Sequence, residues 1–257
     1  MQKKIIWIFF QFIFITTVKA QVEPIDTDRP DQTESVFLVP DQWMQFEFGL
    51  AITHVTSEVS ELLVPTLLSR YGISKKVELR LLTSYTSTSH LLIPTGTVYE
   101  RGFTPVEIGT KVALLQPGHF LPQVSLIAQV GIPGLSSPKY KINKPSVALV
   151  LALQNELSEN FALGYNLGAE WDGIDNSSPS YIYTLSPGLN FGKRWYGYIE
   201  TFGSFRKHEA AQHNIDGGVA YYISNNSKID FSSGFGVSPV SPDWYVSVGF
   251  STRFKLK

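Results

Sequence analysis

Cysteine is absent from the 257 residues, so neither a disulfide nor a thiolate metal site can form. Charge is scarce: Asp, Glu, Lys and Arg make up 17% of the chain, against about a quarter in soluble proteins. A soluble surface would normally carry more. The net charge of −1 supplies no basic field, which argues against nucleic acid as a partner. Beyond the first twenty residues no apolar run approaches the roughly 18 residues of a membrane-crossing helix. Catalytic signatures are missing as well. His54, His90, His119, His208 and His213 are scattered, mostly near turns, without HExxH or paired-His spacing. No Gly-x-Ser-x-Gly elbow and no phosphate-cradling glycine loop occurs. The expectation is no catalytic residue, no metal and no cofactor.

What is present begins with an export signal. Lys3 and Lys4 precede an apolar stretch, Ile5 to Ile15, broken by Gln11, and Val18-Lys19-Ala20 places modest residues before a cleavage point at Gln21. Residues 1–20 are read as a secretory signal peptide, the alternative being an uncleaved anchor. Residues 21–41 are acidic, punctuated by Pro24 and Pro30, and lack apolar periodicity, so they form an irregular segment. From 42 to 257 the chain alternates apolar with small or polar residues in segments of about ten residues. Phe161, Leu163, Tyr165, Leu167 and Trp171 share one face of such a segment, and Ala162, Gly164, Asn166, Gly168 and Glu170 the other, because strand side chains point to opposite faces with period two.

Twelve strands are expected, near 42–54, 61–73, 77–88, 104–115, 121–132, 146–157, 161–171, 181–191, 195–206, 212–223, 228–237 and 243–254. The links after the second, fourth, sixth, eighth and tenth are short; those after the third, fifth, seventh and ninth are longer. An even strand number with alternating short and long links is the pattern of a transmembrane barrel whose short turns face the periplasm. The fold class is therefore all-β, a transmembrane antiparallel β-barrel of about twelve strands in the cell outer membrane. Aromatics near strand ends (Trp43, Trp171, Tyr181, Tyr183, Phe191, Trp195, Tyr196, Trp244 and Phe254) suit the headgroup zones of a bilayer.

Charged residues inside strands fall almost entirely on the small-residue face: Glu47, Glu78, Arg80, Glu107, Lys111, Glu170, Glu200, Asp216, Asp230 and Arg253. A cation on the lipid face near the midplane costs about 2–4 kcal/mol, so these ten are expected to face the lumen. There they form either a polar pathway or a salt-bridge network that fills a closed interior. Asp28, Arg29, Asp31 and Glu34, within residues 26–35, are candidates for a charged plug or lid at the periplasmic mouth. Arg80, Glu107 and Lys111 are their expected partners, and a disordered tether is the alternative.

The stretch Thr27-Asp28-Arg29-Pro30-Asp31-Gln32-Thr33-Glu34-Ser35, followed by Gln45-Phe46-Glu47, resembles a bacterial family of outer-membrane transporters linked to the meta-cleavage pathway of phenol degradation. Asp216-Gly217-Gly218, Asp230 to Gly236 and Asp243 to Phe250 extend the resemblance over the mature chain. It implies an outer-membrane location and a transport role, with the cargo unassigned. One departure is visible: Phe254 is followed by Lys255-Leu256-Lys257, where the barrel-assembly machinery reads a terminal aromatic residue. The expected function is a channel or transporter for small molecules, hydrophobic or aromatic ones included, with outer-membrane lipid and the assembly machinery as partners. A non-transporting structural or adhesion barrel with a closed lumen is the alternative, and an enzyme on the barrel wall ranks below both.

Overall fold

The structure is a computed structural model that describes residues 23–116, 121–174 and 178–256. The expected signal peptide and the turn at Pro117 to His119 lie outside the described residues. Strands β1 (Trp43–Thr56), β2 (Val59–Ser74), β3 (Val77–Leu92), β4 (Gly96–Phe103), β5 (Glu107–Leu115), β6 (Gln123–Gly131), β7 (Ser146–Glu156), β8 (Phe161–Trp171), β9 (Ser180–Phe191), β10 (Trp195–Arg206), β11 (Gln212–Ser224), β12 (Ser227–Gly236) and β13 (Trp244–Lys255) follow in order. Each pairs antiparallel with its neighbours, and β1 closes the ring on β13 from Trp43↔Lys255 to His54↔Trp244. Among the described residues no helix is long and apolar enough to cross a membrane; the crossing is made by strands.

Thirteen strands make twelve staves. The lower half of β3 pairs with β5 (Val77↔Val112 to Leu82↔Glu107) and its upper half with β4 (Tyr85↔Phe103 to Leu92↔Gly96), so β4 and β5 are one stave interrupted at Thr104-Pro105-Val106. This corrects the expectation of a long open link after the third strand. Pro94 and Gly96 belong to a tight turn, with Gly96 at φ 106°, and the chain then returns as a strand. At the interruption the Val106 N–H turns to Leu135 O and the Ile132 N–H to Val106 O, so the following loop satisfies the freed backbone groups.

The alternation sorts the two faces. Outward, Leu50 is 44% exposed, and Ile52, Leu81, Leu149, Leu167, Ile199, Phe231 and Val248 are exposed with it. Inward, Glu47 on the same strand is 1% exposed. Such an apolar exterior, carried around the whole barrel, cannot face water and is what hydrocarbon requires. Rings collect at both rims: Phe191 stacks on Trp195 at the short-turn end, and Tyr181 on Phe205 at the other. Tyr196 departs from the expected girdle, because it sits inside with its hydroxyl 3.4 Å from Asp31 Oδ2. The inner wall is not uniformly polar either. Ile127, Val150 and Ala152 form an apolar patch that receives Val36, flanked by Phe37 and Ile182.

Candidate functional site: the lumen and the segment inside it

Residues 23–41 run within the barrel rather than beneath it. The segment enters at the short-turn end, where the Arg253 guanidinium donates to Glu23 O. It climbs past β1, β12 and β13, crosses the middle of the lumen against β8, β9 and β10, passes β7, β6 and β5, and descends along β2 and β3 to a bridge between Asp41 and Gly72. Its irregular sequence suits this path. A chain that must present backbone groups to many staves in turn cannot use a regular ladder, and side chains of the wall supply the missing partners.

One side is built from charge. Arg70 donates from Nε to Glu78 Oε1 at 2.8 Å and from Nη1 to Glu47 Oε1 at 2.9 Å, and its Nη2 reaches Phe37 O at 2.8 Å. Arg80 donates to Asp28 Oδ2 at 2.5 Å and to Glu34 Oε2 at 2.9 Å. Lys111 Nζ reaches Asp28 Oδ1 at 2.7 Å and Ser35 O at 2.8 Å. Asp28 is the hub, since Arg70 Nη1 also lies 3.2 Å from its Oδ2. Burial pushes the Asp28 carboxyl up, but Arg70, Lys111 and Arg80 together hold it well below the ordinary carboxylate range. The wall carboxylates also bind the segment's backbone: Glu47 accepts from Asp28 N at 3.0 Å and Glu78 from Val39 N at 2.8 Å.

The rest of the wall holds the segment by neutral groups and single pairs. Arg29 donates to Asp230 Oδ1 at 3.0 Å and to Ser247 Oγ at 2.8 Å, and Lys228 donates to Arg29 O at 2.8 Å. Its guanidinium lies in a notch made by the cross-strand pair Gly49↔Gly249, where any Cβ would come within 2.4 Å of it. Farther along, Gln32 N donates to Glu200 Oε2 at 2.7 Å, and Thr33 shares hydroxyl hydrogen bonds with Thr184, at 2.6 Å, and Glu200. Glu34 is clamped by Asn166, which accepts from its N–H at 2.6 Å and donates to its carbonyl at 3.1 Å. Asp216 accepts from Tyr245 and Tyr198 on the same wall.

Of the ten inward charges expected from sequence, Glu47, Glu78, Arg80, Lys111, Glu200 and Asp230 touch the segment's inner course, and Arg253 holds its start. Asp216 stays with the tyrosines. Glu107 and Glu170 stand apart in a chamber above the segment. Glu107 therefore does not pair with the segment, contrary to expectation; its partner is Gln129, at 3.3 Å. Sequence reasoning missed Arg70 and Thr184, and placed Gln45 and Asn166 on the inward face without singling them out as partners of the segment. The inward register of β2 would have exposed Arg70, which lies directly across from Arg80. Two arginines face to face need carboxylates from elsewhere.

Two of the cavities among the described residues meet the middle of the segment, one from each side. One, of about 460 Å³, opens toward the long-loop end and has Gln32 and Glu34 as its floor and Glu107, Gln129, Glu170 and Asn214 in its wall. The other, of about 270 Å³, lies toward the short turns against Asp31, Thr33, Glu34, Glu159, Gly164 and Tyr196.

A closed twelve-stave barrel with an apolar exterior and a polar, charged interior is an outer-membrane β-barrel protein. The chain belongs to the family described as "Putative MetA-pathway of phenol degradation", whose model matches residues 27–254. Among solved structures it is similar to an outer membrane channel from Pseudomonas putida F1, with TM-score 0.68 at 12% identity over 89% of this chain and 100% of that one. The NanC porin (TM-score 0.50, 10% identity, 83% of this chain and 100% of that one) shares the barrel. So does the transport unit of the autotransporter AIDA-I from Escherichia coli (TM-score 0.50, 10% identity, 84% of this chain and 90% of that one). At such identities the likeness is one of fold. No curated protein matches the chain.

Proposed function

We propose that the protein is an outer-membrane channel for small molecules, closed at rest by residues 23–41 acting as an internal plug. The observation that carries this reading is the pair of chambers, one open to each end, separated by a short stretch of the N-terminal segment rather than by the barrel wall. A barrel meant only as a scaffold has no use for two facing chambers. The family's description and the aromatic groups Phe37, Phe161, Tyr196 and Tyr222 around the lower chamber favour a small aromatic cargo. The polar lining, with Asp31, Ser186 and Asn190, favours one that also forms hydrogen bonds.

A non-transporting barrel is the second reading, favoured by the buried ion network of Arg70, Arg80, Lys111, Asp28, Glu47 and Glu78, which would serve equally well to fill a closed lumen. Planar-bilayer recording decides between them. The intact protein is expected to show brief openings, and deletion of residues 22–35 a larger, noisier conductance. If both forms are silent, the protein is not a channel.

A further inference from the structure

Resting on the channel reading, we infer that the transport path runs along the β8–β9 wall and opens by displacement of Gln32, Thr33 and Glu34 alone, with the rest of the segment staying docked. Among the described residues Glu34 is the one that lines both chambers, and Gln32 and Thr33 line one each. The barrier is therefore about three residues thick. Its attachments to β8, β9 and β10 are hydrogen bonds to side chains of Asn166, Thr184 and Glu200, while its ion pairs, Glu34 with Arg80 at 2.9 Å and with Lys111 at 3.9 Å, lie on the far wall. None of those hydrogen bonds has a positive charge to oppose, so each can be exchanged for water as the barrier moves.

The flanks are held differently. Before the barrier, Asp28 is bound by Arg70, Arg80 and Lys111, and Arg29 by Asp230. After it, Val36 is buried among Ile127, Val150 and Ala152, its carbonyl accepts from Ser125 Oγ at 2.6 Å, and Val39 N is held by Glu78. Expelling the whole segment would leave Arg70, Arg80 and Lys111 facing fewer carboxylates and would expose the apolar patch. Moving three residues does neither.

The direction of movement is also built in. The Glu34 carboxylate is held by Arg80 on β3, across the lumen from β8, while its backbone is held by Asn166. Releasing Asn166 lets the backbone swing toward β3 about an anchored side chain. The wall it leaves is low: Gly164 faces Thr33, whose methyl lies 3.2 Å from where a Cβ would stand, with Ala162 beside it in the lower chamber. The neck so opened is lined by an amide, a hydroxyl and carboxylates, which suits a small neutral or cationic cargo with hydrogen-bonding groups. Asn166 and Thr184 are thus gate-positioning residues.

The absence of native cysteine allows a clean test in planar bilayers with the full mature chain. Thr33→Cys with Thr184→Cys ties the barrier to the wall; Val36→Cys with Ile127→Cys ties the flank. Bridge formation is verified by mass. The first bridge should abolish openings, with recovery on adding dithiothreitol, whereas the second should leave them unchanged. Asn166→Ala, which needs no bridge, should raise the frequency of openings several-fold. Silencing by the flank bridge, persistence of openings under the barrier bridge, or an unchanged opening frequency in Asn166→Ala would each overturn the inference. Silence of the unmodified protein and of the 22–35 deletion alike would instead refute the channel reading.

Discussion

Replacing Asp28 with asparagine keeps the shape of the hub and removes its charge. Three buried cations converge on that carboxylate, Arg80 at 2.5 Å, Lys111 at 2.7 Å and Arg70 at 3.2 Å. Taking one partner from a buried ion pair costs about 3–5 kcal/mol, because the remaining charge is left desolvated and unpaired. Glu47, Glu78 and Glu34 still compensate the cations in part, so the lower end of that range applies. Even so, about 3 kcal/mol raises the undocked fraction of the segment roughly a hundred-fold. The assay is limited proteolysis of the inserted protein from the short-turn side, run beside conductance. Cleavage within residues 23–35 should accelerate and openings should lengthen. As a control, Lys139→Ala breaks an ion pair of similar length, 2.6 Å to Glu100, but an exposed one; screened by water, it should change nothing measurable. Equal protection of the segment in Asp28→Asn and wild type would refute the assignment of Asp28 as the hub.

Gly249→Ala should drive the Arg29 guanidinium from its notch, since the new Cβ would stand 2.4 Å from Arg29 Nε; its effect on segment protection should vanish when Arg29→Ala is already present, a coupling that a double-mutant cycle reads. Leu149→Arg places a cation on the lipid face at a cost of about 2–4 kcal/mol and should lower folding yield into vesicles, whereas Ser204→Arg, in the upper chamber, should fold normally. Equal yields would reverse the facing. Burial pushes the Asp31 carboxyl up to about 7, against an ordinary 3.8. The docked segment therefore holds a proton that the released segment loses. The Asp31 contribution to docking is fully present below about pH 4 and is lost as pH rises to about 7, so opening frequency should increase from pH 5 to pH 8. Glu34, raised by burial to about 7 as well, shares in that rise, and Asp31→Asn should reduce it rather than remove it. Because Glu107 and Glu170 line the upper chamber and the neighbouring Arg206 is paired with Asp172 at 2.9 Å, the open pore should prefer potassium over chloride. The reversal potential in a salt gradient reads this, and Glu107→Gln with Glu170→Gln should reduce it.

The sequence by itself determined the wall. Strand periodicity is local: in Phe161 to Trp171 the identity of each residue assigns its face without reference to any other part of the chain, and β8 spans those same residues. The inward placement of Glu78 and Arg80 follows in the same way, from a two-residue step and the cost of charge in hydrocarbon. Locality also explains the failures. Thr97 to Phe103 show no clean apolar alternation, and Pro94 and Gly96 beside them mark a loop; only the pairing with β3 shows that those two residues form a turn and that the chain returns as a strand. What fills the barrel was decided by tertiary structure. Arg29 finds Asp230 and Ser247 about two hundred positions away, Glu34 finds Asn166, and Asp28 gathers cations from β2, β3 and β5. No periodicity links such residues. Their meeting follows from closure of the ring, which sets twelve inward faces around one irregular segment and leaves each buried charge to pair with whatever the opposite wall presents.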